Sequence, residues 1–244
     1  CSNDARVRPF LRAWAAMREV EVPGQVTLIE NEQNQGFIFS VNAGLELALT
    51  FGDHVVLLNS DAFVPSGWAS RLIRPIVMQA NVASVTPMSN DAEIFSVPVN
   101  YRKGQLEPGL VDAVDKVAQQ LNPDVCQVSC PTGVGFCMAI NIDFLRKEPK
   151  LDTNFGRGYG EEVDWCQKAR AHGGEHLGIA TLFVEHRGGA SFGDSEKKAM
   201  VAKNGRVIST RYPHYDAEVQ DFIRRNALAG ARLALALAGV RQQG

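Results

Sequence analysis

The sequence lacks the features that mark membrane-spanning or nucleic-acid-binding proteins. No run reaches the roughly 18 consecutive apolar residues that a bilayer-spanning helix needs. Lysine and arginine total 25 against 27 aspartate and glutamate, which gives a net charge of −2, and no basic cluster stands out. Because phosphate neutralisation requires such a cluster, we expect no nucleic acid partner.

Cysteine is also scarce, and its number is odd. The chain has 244 residues and five cysteines, at Cys1, Cys126, Cys130, Cys137 and Cys166. A chain of this length can bury a core without disulfides, so free thiols in a reducing compartment are the simpler interpretation. The spacing of Cys126 and Cys130 fits half of a zinc site, but no second half follows, so zinc has little support.

Apolar runs of strand length alternate with segments of helical period. Strand-like runs are Val26–Glu30, Val55–Leu58, Val82–Pro87, Val125–Val128 and Leu177–His186. Helical segments are Ile38–Thr50, Trp68–Gln79, Leu110–Leu121, Glu161–Ala171 and the Ala/Leu-rich stretch from Asp216 onward. The alternation predicts an α/β protein with a doubly wound sheet, and the polar, proline-containing segment Met88–Gly109 predicts a long loop.

Polar residues follow two of the predicted strands. In VVLLNSDAFVPSGW, four apolar residues run directly into Asn59, Ser60 and Asp61, and the late strand ends on His186. Open α/β sheets bind ligands at the carboxyl ends of their strands, so Asp61 and His186 are candidate site residues. Turn formation before a proline is an equally simple explanation of Asn59 to Asp61.

A second polar concentration is GRGYGEEVDWCQKARAHGG. Glu161, Glu162 and Asp164 stand at the start of a predicted helix, where the helix dipole favours acidic residues. Three carboxylates in four residues exceed what helix capping requires. Neighbouring carboxylates raise each other's pKa, which suits one of them for general-base catalysis.

Five segments together resemble the family 2 glycosyltransferases of the GT-A fold, nearest to their rhamnosyltransferase-like members. The segments, in the order in which that family has them, are ENEQNQGFIFSVNAGLELA, VVLLNSDAFVPSGW, CPTGVGFCMAI, GYGEEVDWCQKARAHG and VEHRGGAS. The resemblance extends from Cys1 to about Tyr215. It implies a GT-A type doubly wound mixed sheet flanked by helices, with a C-terminal helical extension.

The resemblance also implies a reaction and its residues. A nucleotide-diphosphate sugar would be the donor, a hydroxyl of a glycan or lipid-linked glycan the acceptor, and the transfer would invert the anomeric carbon. Asp61 and His186 would bind Mn²⁺ or Mg²⁺, while Asn59 replaces the first aspartate of the family's D-x-D. Glu162 would be the catalytic base, where the family more often has aspartate, and Glu161 would support the acceptor. Asp164 is expected to anchor the helix start or neighbouring loops.

Residues on the nucleotide side are harder to assign. Cys1 to Asp4 resembles the end of the family's D-N-x-S-x-D segment, so we expect the first strand to be absent rather than Cys1 to carry a lipid. Asp4, Asn34 and Asn42 are then the remaining candidates for nucleotide binding. A turn-forming role explains Asn34 equally well, and a helix-packing role explains Asn42.

The expected organisation is a glycosyltransferase domain over residues 1–215 and a helical extension or linker over 216–244. The extension could connect to a further domain or contact a membrane surface, because its last part is apolar with basic residues at its ends. We expect a cytoplasmic protein of polysaccharide biosynthesis, with the inner face of the membrane as an alternative location. Two other functions stay open, a noncatalytic sugar- or nucleotide-binding module and a sugar nucleotidyltransferase.

Overall fold

The computed structural model describes residues 4–104, 109–188 and 194–241. Its helices are α1 Val7–Glu21, α2 Phe37–Phe51, α3 Trp68–Met78, α4 Val111–Ala118, α5 Ile142–Lys147, α6 Glu161–Ala171, α7 Asp194–Arg211, α8 Tyr215–Arg225 and α9 Ala229–Arg241. Its strands are β1 Val55–Leu58, β2 Ala62–Phe63, β3 Val82–Ser89, β4 Gln127–Cys130, β5 Cys137–Ile140 and β6 Glu175–His186. Residues 1–3, where the N-terminal motif begins, and the end of VEHRGGAS lie outside the described residues.

The strands form one mixed sheet in the order β1-β5-β3-β6-β2, and β4 also pairs with β6. β3 and β6 are parallel, whereas the other neighbouring pairs are antiparallel. All eight residues of β3 are buried, as expected for a central strand covered on both faces. The predicted mixed α/β sheet is therefore confirmed.

Helices cover both faces of the sheet, and β5 shows this most directly. Its side chains alternate between two hydrophobic clusters, with Cys137 and Ala139 in one and Met138 and Ile140 in the other. The first cluster includes residues of α3, α4, α8 and α9, and the second includes residues of α2, α5, α6 and α7.

The predicted C-terminal helices are present and pack into this core. Val219 and Phe222 of α8 and Leu228 and Leu235 beside or within α9 are buried in the first cluster, together with residues of β3 and β6. Among the described residues, no helix combines the length and the apolar character needed to cross a membrane.

The prediction of a strand at Val26–Glu30 is wrong. This segment has no regular secondary structure and is largely exposed. Its β-branched residues favour an extended backbone, but a strand also needs a hydrogen-bonded neighbour, and the described residues place none beside it. The strand predicted at Val125–Val128 lies two residues later, at Gln127–Cys130, and α1, α5 and α7 were not predicted.

The described cysteines are free thiols, Cys126, Cys130, Cys137 and Cys166. Three of them are buried, and burial raises the pKa of the Cys137 thiol to about 12. These side chains therefore pack as small uncharged groups in the core.

A buried ion pair connects three elements of the core. Asp115 of α4 is fully buried and binds the Arg71 guanidinium of α3 with both oxygens, at 3.0 and 2.6 Å. The same carboxylate accepts hydrogen bonds from Gln119 Nε2 at 2.8 Å and from the backbone N–H of Phe183 in β6 at 3.0 Å. Asp115 thus joins both helices to the sheet.

We expect Asp115→Ala to lower the free energy of unfolding by roughly 3–5 kcal/mol, because it leaves the Arg71 charge and a buried N–H without their partner. Asp112→Ala, at an exposed position of the same helix, should cost less than about 1 kcal/mol. Urea unfolding of both variants tests this. If Asp115→Ala and Asp112→Ala have the same free energy of unfolding, Asp115 does not join these elements.

Candidate active site

Two strand ends that are far apart in sequence meet at one edge of the sheet. β2 begins immediately after Asp61 and pairs with the end of β6, so that Ala62 faces His186 across the ladder. The backbone N–H of Arg187 donates to the Asp61 carbonyl at 3.0 Å, which continues the pairing. This short ladder brings Asn59 and Asp61 beside His186, as the strand-end pattern predicts.

One nitrogen of the His186 ring forms a hydrogen bond with the backbone, and the other faces the side chains of Asp61 and Asn59. Nδ1 lies 2.7 Å from the Asp91 carbonyl oxygen, which can only accept, so Nδ1 carries the hydrogen. In the neutral ring, Nε2 then has the lone pair. Nε2 lies 3.4 Å from Asp61 Oδ1 and 3.5 Å from Asn59 Nδ2. Metal-binding histidines are commonly oriented by such a carbonyl.

Neighbouring groups hold His186 in place through its ring and its backbone. The ring stacks on Phe136, with centroids 5.1 Å apart. Asn90 pairs with the His186 backbone in both directions, accepting from its N–H at 2.7 Å and donating to its carbonyl at 2.8 Å. Sequence analysis missed Phe136, Asn90 and Asp91. Asn90 directly follows β3 as Asn59 follows β1, so the strand-end criterion could have identified it.

The donor set of Asp61 and His186 fits a divalent cation. A carboxylate oxygen with a neutral imidazole nitrogen suits Mn²⁺ or Mg²⁺. The described residues contain no group of three or more His, Cys, Asp or Glu side chains that could hold a metal. A cation at this place would therefore need further oxygen ligands from water or from a substrate phosphate.

A sharp glycine turn starts α6 and places Glu161 and Glu162 at its N-terminus. Gly160 has a φ of +117°, and a Cβ at this position would lie 3.0 Å from the Phe155 ring. Glycine is therefore required here on both conformational and steric grounds. The Gly160 N–H points at Glu162 Oε2, at 3.4 Å.

The two glutamates differ in their surroundings. Glu161 is 4% exposed, and its Oε2 has no hydrogen-bond partner among the described residues. Burial together with the Glu162 charge raises the pKa of Glu161 to about 9. Burial also raises the pKa of Glu162, but the backbone N–H groups of Gly160 and Gly135 oppose that rise. Glu161 is thus the protonated member of the pair at neutral pH, while the N–H groups around Glu162 favour its charged form, and such a contrast between neighbouring carboxyl groups is typical of acid–base sites.

One backbone segment links the glutamates to the histidine. A Cβ on Gly135 would lie 3.9 Å from Glu162 Oε1, whereas the next residue, Phe136, stacks on His186 and accepts from the Asn59 N–H at 2.8 Å. Glu162 and His186 therefore flank the same two residues. The structure brings together the predicted metal ligands and the predicted base.

The predicted nucleotide-side residues have other contacts. Asn34 Oδ1 accepts from the Gly36 N–H at 3.0 Å, which is turn geometry. The Asn42 amide pairs with both backbone groups of Leu151, at 2.9 and 2.8 Å. Asp4 forms a surface ion pair with Arg6 at 2.7 Å. The structure thus shows local structural contacts for all three, and their nucleotide role stays a prediction.

The third acidic residue of α6 anchors the helix, as predicted. Asp164 is fully buried and accepts from Arg211 Nη1 and from the Tyr212 hydroxyl, both at 2.8 Å. The adjacent Trp165 is buried in the core, and its Nε1 donates to the Glu148 carbonyl at 2.8 Å. The contacts of Asp164 fix the start of α6 against the end of α7.

Comparisons with known proteins identify the family and the fold of this chain. The family model described as glycosyl transferase family 2 matches residues 7–148, more than half of the chain, including Asp61 and Phe136 but neither Glu162 nor His186. Among 52 matching chains of solved structures is the crystal structure of GalNAc-T7 with UDP, GalNAc and Mn²⁺. That match has a TM-score of 0.62 at 17% identity, and it confirms the GT-A fold.

The match to GalNAc-T7 covers 96% of this chain but only 46% of that protein. This chain therefore spans less than half the length of that relative. A comparison with curated proteins found no match.

We expect Glu161→Gln to flatten the pH dependence of stability. The folded-state pKa of Glu161, about 9, lies above the ordinary value of 4.5, so the unfolded chain ionises first as pH rises. The stabilising contribution is therefore complete below about pH 4.5 and is lost as pH rises towards 9. Glutamine cannot ionise, so the variant should lose less stability than the parent across this range.

Urea unfolding at the two ends of this pH range measures the difference. The matched control is Glu46→Gln, at an exposed position of α2, which should follow the parent. If Glu161→Gln loses as much stability as the parent, Glu161 is not held protonated by its surroundings.

Proposed function

Because the chain belongs to glycosyl transferase family 2, we propose that it transfers a sugar from a nucleotide-diphosphate sugar to a hydroxyl group of a glycan or lipid-linked glycan, with inversion and with a divalent cation. The observation that carries this proposal is the oriented His186 ring. Its Nε2 faces Asp61, and a single backbone segment separates it from the Glu162 carboxylate.

On the donor side, Asp61 and His186 would hold Mn²⁺ or Mg²⁺. The cation would neutralise the charge that develops on the leaving diphosphate. Asn59 has an amide where the family's first aspartate stands, so it offers hydrogen bonds and no charge to the donor. The GalNAc-T7 structure contains UDP and Mn²⁺, which supports the same pairing of ligands for this chain.

On the acceptor side, Glu162 acts as the base. Its carboxylate takes the proton of the acceptor hydroxyl while that oxygen attacks the anomeric carbon from the face opposite the diphosphate. One carbon–oxygen bond forms as the bond to the diphosphate breaks, so a single displacement inverts the configuration. Burial raises the pKa of Glu162 in the direction of neutral pH. A general base is most efficient when its pKa lies near the working pH.

Glu161 complements the base as a protonated hydrogen-bond donor. Its buried carboxylic acid can donate a hydrogen bond, and its Oε2 has no partner in residues 4–104, 109–188 and 194–241. An acceptor hydroxyl oxygen would satisfy this group. Glu161 would therefore orient the acceptor while Glu162 removes its proton.

We expect the binding of nucleotide and cation to be mutually dependent, because the protein provides two ligands and the diphosphate would provide others. Calorimetry with UDP, dTDP and GDP, each with and without Mn²⁺, should show one nucleotide that binds tightly only with the metal. Asp61→Ala should weaken that binding by about 100-fold or more, since even indirect metal-site changes cost 10–100-fold.

The matched control for Asp61→Ala is Asp53→Ala, an exposed aspartate just before β1, which should bind like the parent. If no nucleotide binds with any metal, the donor assignment is wrong. Metal-dependent binding without any transfer would favour a noncatalytic binding module.

For the base, we expect Glu162→Gln to lower kcat by about 10²–10⁴-fold while Mn²⁺-dependent nucleotide binding is retained. Glu162→Asp keeps a carboxylate and should retain more activity than Glu162→Gln. The measurement is release of nucleoside diphosphate from the donor that calorimetry identifies, with NMR of the product to determine its anomeric configuration. A Glu162→Gln variant as active as the parent would remove Glu162 from the base role, and a retained configuration would exclude single displacement.

A further inference from the structure

Arg232 of α9 is a buried cation that binds backbone carbonyls. It is 6% exposed, and its Nε and Nη2 donate to the carbonyls of Ser96 and Ile94 at 3.0 and 3.1 Å. Nη1 donates to the Asn226 side chain. Burial lowers the pKa of Arg232, and no ion pair with a carboxylate is found for it in the described part of the chain. A buried charge with this cost needs a reason beyond packing.

The carbonyls that Arg232 binds belong to a turn that reaches the active site. Residues 90–96 form this turn after β3, and it contains the 3₁₀ helix Glu93–Phe95. Within it, the Ala92 N–H donates to Ser96 Oγ at 2.9 Å. The carbonyl of Asp91, the residue before Ala92, accepts from His186 Nδ1 at 2.7 Å. Arg232 is thus connected to the His186 ring through three hydrogen bonds and the backbone of the turn.

Other contacts of the turn point to the same support. Phe95 is fully buried, packs edge-to-face against Phe222 of α8 at 6.0 Å and lies over Gly178 of β6. Glu93 has a φ of +48°, a strained conformation for a residue with a Cβ, and its carbonyl accepts from the Tyr101 N–H at 2.7 Å. Helices α8 and α9 therefore contact a turn that has a strained backbone at Glu93.

We propose that Arg232 is a positioning residue for sugar transfer: its guanidinium fixes the 90–96 turn, so that the Asp91 carbonyl keeps His186 Nε2 directed at Asp61. This inference rests on the proposed function in treating Asp61 and His186 as the cation ligands. The planar guanidinium satisfies two carbonyls two residues apart at once, which a lysine ammonium cannot match geometrically. The C-terminal helices thereby become part of the catalytic apparatus.

The test compares Arg232→Met and Arg232→Lys with Leu235→Ala, a buried apolar position of the same helix. Calorimetry measures Mn²⁺-dependent binding of the nucleoside diphosphate that the parent prefers. In parallel, ¹⁵N NMR of histidine-labelled protein without metal reports the His186 tautomer, with the signal assigned by its loss in His186→Gln. Thermal unfolding monitors stability for every variant.

We expect Arg232→Met to weaken metal-dependent binding by about 10–100-fold, the range typical of groups that orient metal ligands. Its His186 signal should change from a single Nδ1-protonated form to a mixture of tautomers. Arg232→Lys should lie between Met and the parent on both measurements. Leu235→Ala should lower the melting temperature while affinity and tautomer stay as in the parent, because it removes packing without touching the turn's carbonyls.

The outcomes separate this inference from the proposed function. A folded Arg232→Met protein with parental affinity and a single tautomer would overturn the positioning role alone. A parent that binds no nucleotide with any metal would overturn the proposed function, while the NMR measurement would still show whether Arg232 orients the ring. If Arg232→Met does not fold, Arg232→Lys decides, and parental values in that variant reject the inference.

Discussion

The hydrogen bond from His186 Nδ1 to the Asp91 carbonyl is the interaction on which the geometry of the candidate active site depends. It decides which ring nitrogen keeps its lone pair, and hence which chemistry the ring can perform. Around it, the fold fixes the two partners separately. The β2–β6 ladder holds the backbone of His186, and the turn after β3 holds the carbonyl. A histidine at the same position without this partner could present either nitrogen.

The glutamate pair shows how position alone can divide two identical side chains into different roles. Glu161 Oε2 is buried without a hydrogen-bond partner in the part of the chain that the structure describes, whereas Glu162 meets the N–H groups of a glycine-containing backbone. Burial disfavours charge on both, and three backbone N–H groups offset it at Glu162 but one at Glu161. The glycine at 160 matters because a side chain there would crowd the Phe155 ring in the turn that places these groups.

The sequence predicted the elements whose evidence is local. Periodicity and strand-end position identify Asp61 and His186 after apolar runs, and Glu161 and Glu162 at an acidic helix start, as candidate residues. The alternation of strands and helices indicates the α/β sheet, and the family resemblance indicates that the sheet is mixed. Contacts between distant residues leave no such signal. Arg232 lies 136 residues from Ser96, and nothing in its Ala/Leu-rich surroundings indicates a carbonyl partner. The strand prediction at Val26–Glu30 was wrong because local composition indicates a preference for extended backbone but does not show whether a neighbouring strand is present to pair with it.

The burial of α8 and α9 against β3 and β6 has a consequence for how such a domain can be inherited. Phe222 meets Phe95, and Leu228 and Leu235 lie in the same cluster as the central strands, so the last helices complete the covering that α3 and α4 give to this face of the sheet. Recombination that joined the sheet to a foreign C-terminal segment would have to replace this covering residue by residue. The helices and the sheet are therefore expected to evolve together, with changes on one side compensated on the other.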